Sequence, residues 1–371
     1  MQIKQTIWRR RCLLAGATVA VATPAFAQRA PSARPVARLN APAAQVQPML
    51  FMTGELGGTF SVIGSDLSVV ATEPGFRLMP ILSHGSYDNI QGMLNVRGVD
   101  LGLVASDTLS YARTQPNLVG LNRLHYIAKL YDNELHLLAC DPAIRTVADL
   151  AGKRVNVDVE GSGTSITVAA VFDTLGITAT FTHETPARGV EMLKRNEVDA
   201  IAYAIGKPGG LFHTQPKDSM HFVAVPKNDT LFATYLPATF TAADYPTLVP
   251  DGQSVPSIAV SVVLACFGWS ADTERYRALE RFTQLFIQRF GDLQKPPFHP
   301  KWREVSLSAD VPGWTRFAPV EGMLRSARRE ATTEDAGFQA FLSSIGQSGA
   351  TGTDRERYYS LFHKLRTTVS H

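Results

Sequence analysis

Cysteine is nearly absent, with three residues in 371, at positions 12, 140 and 266. That scarcity excludes a small disulfide-stapled scaffold. Cys140 and Cys266 each end an apolar strand and read as small hydrophobes, although an exported compartment would permit them to pair. No apolar run after the N-terminal segment approaches the ~18 residues of a membrane-spanning helix. Charge of one sign is lacking as well. The net charge is +3, with 19% charged and 45% apolar residues, a composition that supports sizeable soluble cores. Basic residues do not cluster with aromatics, which argues against a nucleic-acid partner. H-E-x-x-H, Walker A and G-x-S-x-G sequences are missing. His84, His125, His136, His183, His213 and His221 show no paired ligand spacing, so no metal is expected. His136 sits inside an apolar strand and reads as a core histidine. Neither Gly-rich turn has the G-x-G-x-x-G form, so no dinucleotide cofactor is expected and no catalytic residue is assigned.

What is present begins with an export signal. Arg9-Arg10-Arg11 precedes an apolar stretch from Cys12 to Phe26, and Ala25-Phe26-Ala27 has the small-x-small form of a cleavage site. Residues 1–27 therefore read as a signal peptide, exported by the Sec or the twin-arginine route to a periplasmic location. They hold four basic residues and no acid, and removing those four charges from +3 leaves −1. Residues 28–48, rich in Ala, Pro and Arg, read as a flexible leader.

The rest of the chain repeats itself. Met93-Leu94, closing an amphipathic helix, is followed by the strand opening Val99-Asp100. Met192-Leu193 is followed in the same way by Val198-Asp199. A Gly-rich turn feeds a helix upstream of each copy: Gly57-Gly58-Thr59 and Gly161-Ser162-Gly163-Thr164. Strands are expected at 49–52, 78–82, 101–105, 125–130, 135–140, 155–159, 178–182, 198–204 and 221–225. Helices are expected between them, with Ser86 as an N-cap. Residues 227–257 read as a return crossover, and Ile258–Phe267 as a long strand before a helix at about 272–290. The alternation implies an α/β fold of two lobes, each a mainly parallel sheet flanked by helices, joined by two hinge strands. Lobe one would comprise 49–133 and 258–330, lobe two 134–257, and 331–371 a C-terminal helical extension.

The two turns carry the chemistry. Glycine lets backbone amides approach a ligand, and a helix N-terminus presents unpaired N–H groups with partial positive charge. Thr59, Ser162, Thr164 and Ser165 add hydroxyls that could instead only cap helices. Lys207, just past a strand's C-terminal end, could pair with an anionic ligand, or be an ordinary loop lysine. Ser106-Asp107 holds the equivalent place in the first unit. Asp107 could equally be an N-cap.

These residues resemble the TAXI-type solute-binding proteins of TRAP transporters. The resemblance covers about residues 49–325. It rests on Gly57-Gly58-Thr59-Phe60, Gly85-Ser86 with Asn89, Val99 to Val104, and Leu130-Tyr131 with His136. It continues through Val147 to Val155, Gly161 to Thr164, and Val198-Asp199-Ala200. It implies a periplasmic-binding-protein-like fold closing by a hinge, with Gly58, Phe60, Gly85 and Tyr131 joining the ligand-contacting set. It also implies a small anionic solute, an amino acid or dicarboxylate, and a monomer delivering it to a TRAP permease. Lys207 stands where the family usually has an aromatic, Ala105 where a polar residue is usual, and Asp132-Asn133-Glu134 where Pro-Glu is common. Two other functions fit the same sequence: a sensor presenting ligand to a membrane receptor, and a secreted hydrolase using Ser162.

Overall fold

The computed structural model describes residues 48–216, 219–344 and 347–368. The expected signal peptide, and the expected leader up to residue 47, lie outside the described residues. The chain runs β1 (Met49–Met52), α1 (Thr59–Val70), β2 (Leu78–Ile81), α2 (Ser86–Asn95), β3 (Val99–Ala105) and α3 (Ser106–Thr114). The 16-residue β4 (Leu124–Ala139) follows, then β5 (Arg154–Asn156), α4 (Gly163–Leu175), β6 (Thr180–Thr182), α5 (Pro186–Lys194) and β7 (Ala200–Ile205). Next come the single turn α6 (Gly210–His213), β8 (His221–Phe222), β9 (Leu236–Thr241) and the 14-residue β10 (Ser254–Phe267). The chain finishes with α7 (Glu274–Leu293), β11 (Thr315–Arg316), α8 (Ala318–Ser344) and α9 (Gly352–Thr368).

The fold is α/β. The main strand order is β2-β1-β3-β10-β4-β7-β5-β6. β1 is parallel to β2 and β3, and β5 is parallel to β6 and β7, so each end of the sheet is a parallel unit flanked by helices. The two long strands, antiparallel to each other, join these units and change partners midway. β10 pairs with β9 through Ala259 and with β3 from Val262 onward. β4 pairs with β11 at His125 and Tyr126, then with β7 from Glu134. The β4–β10 register slips between Ser261 and Val263, opposite Asp132 and Lys129. Such a bulge adds local twist, and it falls where both strands swap neighbours.

Each end has its own core. In the first half Phe51, Ile63, Leu67, Leu101 and Leu264 pack with Leu279, Phe282 and Phe286 of α7 and with Trp302. The i, i+3, i+7 spacing of the α7 residues puts all three on one face. In the second half Leu137, Val155, Val168, Phe172 and Ala202 form one cluster. Phe212, Phe222, Phe240 and Tyr245 form another around His136. His136 is fully buried, with Nδ1 at 2.8 Å from Glu134 O and Nε2 at 2.6 Å from the Tyr245 hydroxyl.

Several expectations change. The strands read at 125–130 and 135–140 are one, β4, which ends at Ala139. Asp132-Asn133-Glu134 falls between those two expected strands, but all three pair with β10. Asp132 finds partners without leaving the strand: it accepts from Ser261 Oγ at 2.9 Å and pairs with Lys129 at 2.8 Å. The crossover 227–257 contains β9, whose Pro237 is tolerated at a sheet edge. Val147–Leu150 is a 3-10 turn rather than an α-helix, held by a Thr146–Asp149 capping box. The first helix of the C-terminal extension starts at Ala318, not after 330, because the charged stretch that hides its period is rich in helix formers. Cys140 is exposed past the end of β4, Cys266 is buried in β10, and both are free thiols.

Candidate functional site

Three helices begin at the same place. Gly58 caps α1 with extended backbone, after Gly57 takes a left-handed turn at φ +85°. Gly85, at φ +111°, leads into α2, a conformation that suits only glycine. Ser162 caps α4, its hydroxyl accepting the Ser165 N–H at 3.1 Å. The ends come within contact distance across the two halves. A Cβ on Gly163 would lie 2.9 Å from Ser86 Oγ, and one on Gly58 would lie 3.0 Å from the Tyr203 hydroxyl. Each helix end contributes backbone N–H groups and partial positive charge to the shared space.

That space is a cleft of about 50 Å³. A single water needs roughly 10–15 Å³ on this scale, so the cleft suits a compact group. Gly54, Glu55, Gly58, Thr59 and Phe60 line it from the first half, with His84, Gly85, Ser86 and Ala105. Asp158, Gly163, Thr164, Thr167, Tyr203, Ala204 and Ile205 line it from the second. Asn133 of β4 and Val260 of β10, opposite each other in the ladder, complete the wall.

Seven expected residues meet there: Gly58, Thr59, Phe60, Gly85, Ser86, Gly163 and Thr164. Ser86 is not the N-cap of α2 but its first residue. Its hydroxyl accepts the Ala105 N–H at 2.9 Å, tying α2 to the end of β3. Thr164 Oγ1 likewise accepts from Ala204 N at 3.1 Å and ties α4 to β7. The other six lie outside the lining. Ser162 and Ser165 bond to each other within the α4 cap, the Ser162 hydroxyl accepting the Ser165 N–H and the Ser165 hydroxyl donating to Ser162 O. Ser106 opens α3, and Asp107 is turned into the protein, accepting from Thr167 Oγ1 at 2.7 Å and from the Tyr235 hydroxyl at 3.2 Å. Burial pushes the Asp107 carboxyl above its ordinary range, against those hydrogen bonds. Tyr131 is fully buried in the first-half core, and its hydroxyl has no partner among the described residues. Lys207 is tied down elsewhere: Nζ donates to Thr239 O at 2.7 Å and to Asp244 Oδ2 at 3.2 Å, and its backbone N–H donates to Glu134 Oε2 at 2.7 Å.

Sequence reasoning missed Glu55, His84, Asn133, Asp158, Thr167 and Tyr203. Asp158 matters most. It follows the short β5, is buried, and holds a left-handed backbone at φ +68°, rare for a residue with a side chain. It makes no ion pair with a cation among the described residues. Burial pushes its carboxyl up to about 7, and nearby Glu55 adds to the effect. The Val159 N–H and the hydroxyls of Ser162 and Thr164 act the other way. Burial, then Asp158 and Glu55, push the Tyr203 phenol up in turn. The expected strand 155–159 ran through Asp158, whereas β5 ends at Asn156 and leaves this carboxylate just beyond a strand's C-terminal end, where open parallel sheets bind ligands. The lining contains no lysine or arginine. Its side chains are thus acidic while its helix ends are positive. Among the described residues no group of three or more His, Cys, Asp or Glu could hold a metal ion.

A family model described as NMT1-like matches residues 51–271. Among solved structures the chain is similar to a TctC solute-binding protein from Polaromonas. Identity is 15%, coverage 68% of this chain and 85% of that one, and TM-score 0.39. It is also similar to the alkanesulfonate-binding protein SsuA from Xanthomonas axonopodis pv. citri, with 15% identity, 85% and 84% coverage and TM-score 0.41. For an ancestral arginine-binding protein the values are 13%, 69% and 98%, and 0.41.

Proposed function

The chain belongs to the NMT1-like family, and from that premise we propose that it is an extracytoplasmic solute-binding protein of the TAXI type. It captures a small solute carrying a carboxylate and delivers it to a TRAP-type permease. The lobes are 49–133 with 258–330, and 134–257, and they close on the ligand by bending at β4 and β10. The observation that carries this reading is the meeting of three helix N-termini, from both halves of the chain, on one small cleft. Backbone amides there would hold the carboxylate without a side-chain cation.

Two further features support it. The basic, apolar and Ala-x-Ala order of residues 1–27 has the form of an export signal. Among the described residues no helix is long and apolar enough to cross a membrane. Binding and hinge closure involve no covalent chemistry, so the protein acts by changing conformation. The test is a thermal-shift screen of amino acids, mono- and dicarboxylates and phosphates, followed by calorimetry. A ligand at 100 times its Kd stabilises the folded state by about 2.7 kcal/mol. A screen in which no small anion or zwitterion shifts the transition would refute the reading.

A further inference from the structure

Resting on the solute-capture reading above, we propose that Asp158, Glu55 and Asn133 form a subsite for a protonated amino group of the captured solute. The cleft thereby selects ammonium-bearing solutes over dianionic ones.

The side chains that face the cleft are rich in acceptors. Asp158 and Glu55 present carboxylates, and no lysine or arginine stands among the lining residues to neutralise them. Asn133 is more than nine-tenths buried, lines the same cleft, and its Oδ1 has no hydrogen-bond donor among the described residues. A buried amide oxygen without a donor is costly, and Asn133 lines the cleft from the strand where the two half-sheets meet. An ammonium group carries three N–H donors and no acceptor. Three acceptor-bearing residues around one small cleft match that number. A second carboxylate at the same place would have to approach Asp158 and Glu55, and like charges at close range repel strongly where water is excluded. Asp158 is also held in a left-handed conformation, uncommon for a residue with a Cβ. Such strain at a cleft wall fits a residue placed for a ligand rather than for the fold.

The experiment uses calorimetry on the whole protein with three matched series. The first is the L-amino acids. The second is the same compounds lacking the amino group, such as propionate for alanine and glutarate for glutamate. The third is the amines lacking the carboxylate. Wild type is compared with Asp158→Asn and Glu55→Gln. Asparagine tolerates the left-handed backbone and keeps the side chain's shape, and a thermal melt confirms that each variant folds. At least one amino-bearing compound should bind wild type at least about tenfold more tightly than its nitrogen-free partner, the scale of a charge-assisted hydrogen bond. Asp158→Asn should erase that preference, and Glu55→Gln should reduce it. If matched compounds bind equally, or only the nitrogen-free acids bind, the ammonium subsite is wrong while solute capture stands. If no compound in any series binds, both readings fail.

Discussion

Asp107 on α3 and Thr167 on α4 are sixty residues apart, yet Asp107 Oδ2 accepts the Thr167 hydroxyl at 2.7 Å. The bond fastens the first half of the molecule to the second beside the cleft, with Tyr235 as a second donor. Thr167→Val keeps the volume and removes one donor from a buried carboxylate. We expect a loss of about 1–3 kcal/mol in chemical denaturation. Small-angle scattering of the folded variant should show a larger radius than wild type. An unchanged midpoint would mean that Tyr235 and Thr108 suffice to satisfy Asp107.

Gly163 leaves room for nothing else. A side chain there meets Ser86 Oγ at 2.9 Å, and Ser86 is held by the Ala105 N–H. Gly163→Val should therefore abolish solute binding in calorimetry while the protein still folds. Valine at Gly210, where no atom lies within 4 Å of the added Cβ, is the control. Binding by both variants at wild-type affinity would dissociate the cleft from solute capture.

Asp158 gives a stability profile with a definite sign. Its carboxyl sits near 7 in the fold against an ordinary 3.8. Between those values the folded state keeps a proton that the unfolded chain has released, so stability falls as pH rises through the window. Asp158→Asn should thus stabilise the ligand-free protein by roughly 2–4 kcal/mol near pH 8 and hardly at all near pH 4. Thermal melts across that range decide it. A constant offset at every pH would show that the charge is not the cause.

Lys207 offers the opposite expectation. Its ammonium is spent on Thr239 O and Asp244. Lys207→Met should cost about 0.5–1.5 kcal/mol of stability. It should leave solute affinity within about twofold, since only a contact with ligand would move it further. A selective loss for dianionic solutes would restore Lys207 to the site.

The export signal is tested by N-terminal sequencing of the periplasmic fraction. We expect a first residue near Gln28. Intact Met1 in membranes would overturn that expectation.

The sequence made the alternating parallel units legible because buried strands and amphipathic helices have distinct periods, and the repeated Met-Leu…Val-Asp unit marked their duplication. Glycines at Gly58, Gly85 and Gly163 were readable because turns and close approaches demand them. What escaped was set by pairing at long range. The polar run Asp132-Asn133-Glu134 falls between two expected strands, and only the pairing with β10 makes it part of one. Asp158 reads as part of a strand because its left-handed backbone is imposed by the turn into α4. Lys207 looked available because its partners, Thr239 and Asp244, come from a segment more than thirty residues away. Local pattern says which residue types are present; it does not say which of them are already satisfied.

The two long strands that carry the chain between its halves are hydrogen-bonded to each other along most of their length. A ribbon of two strands resists stretching and shear, because either would break ladder bonds, but it yields to torsion. In the proposed hinge, motion between the halves would be reduced to a single soft coordinate, with the register slip near Ser261 as its most compliant point. If the protein captures a solute as proposed, it would exchange that solute without melting any of its backbone. The rate of that exchange should follow the torsional stiffness of a few residues in β4 and β10 rather than the length or sequence of any loop.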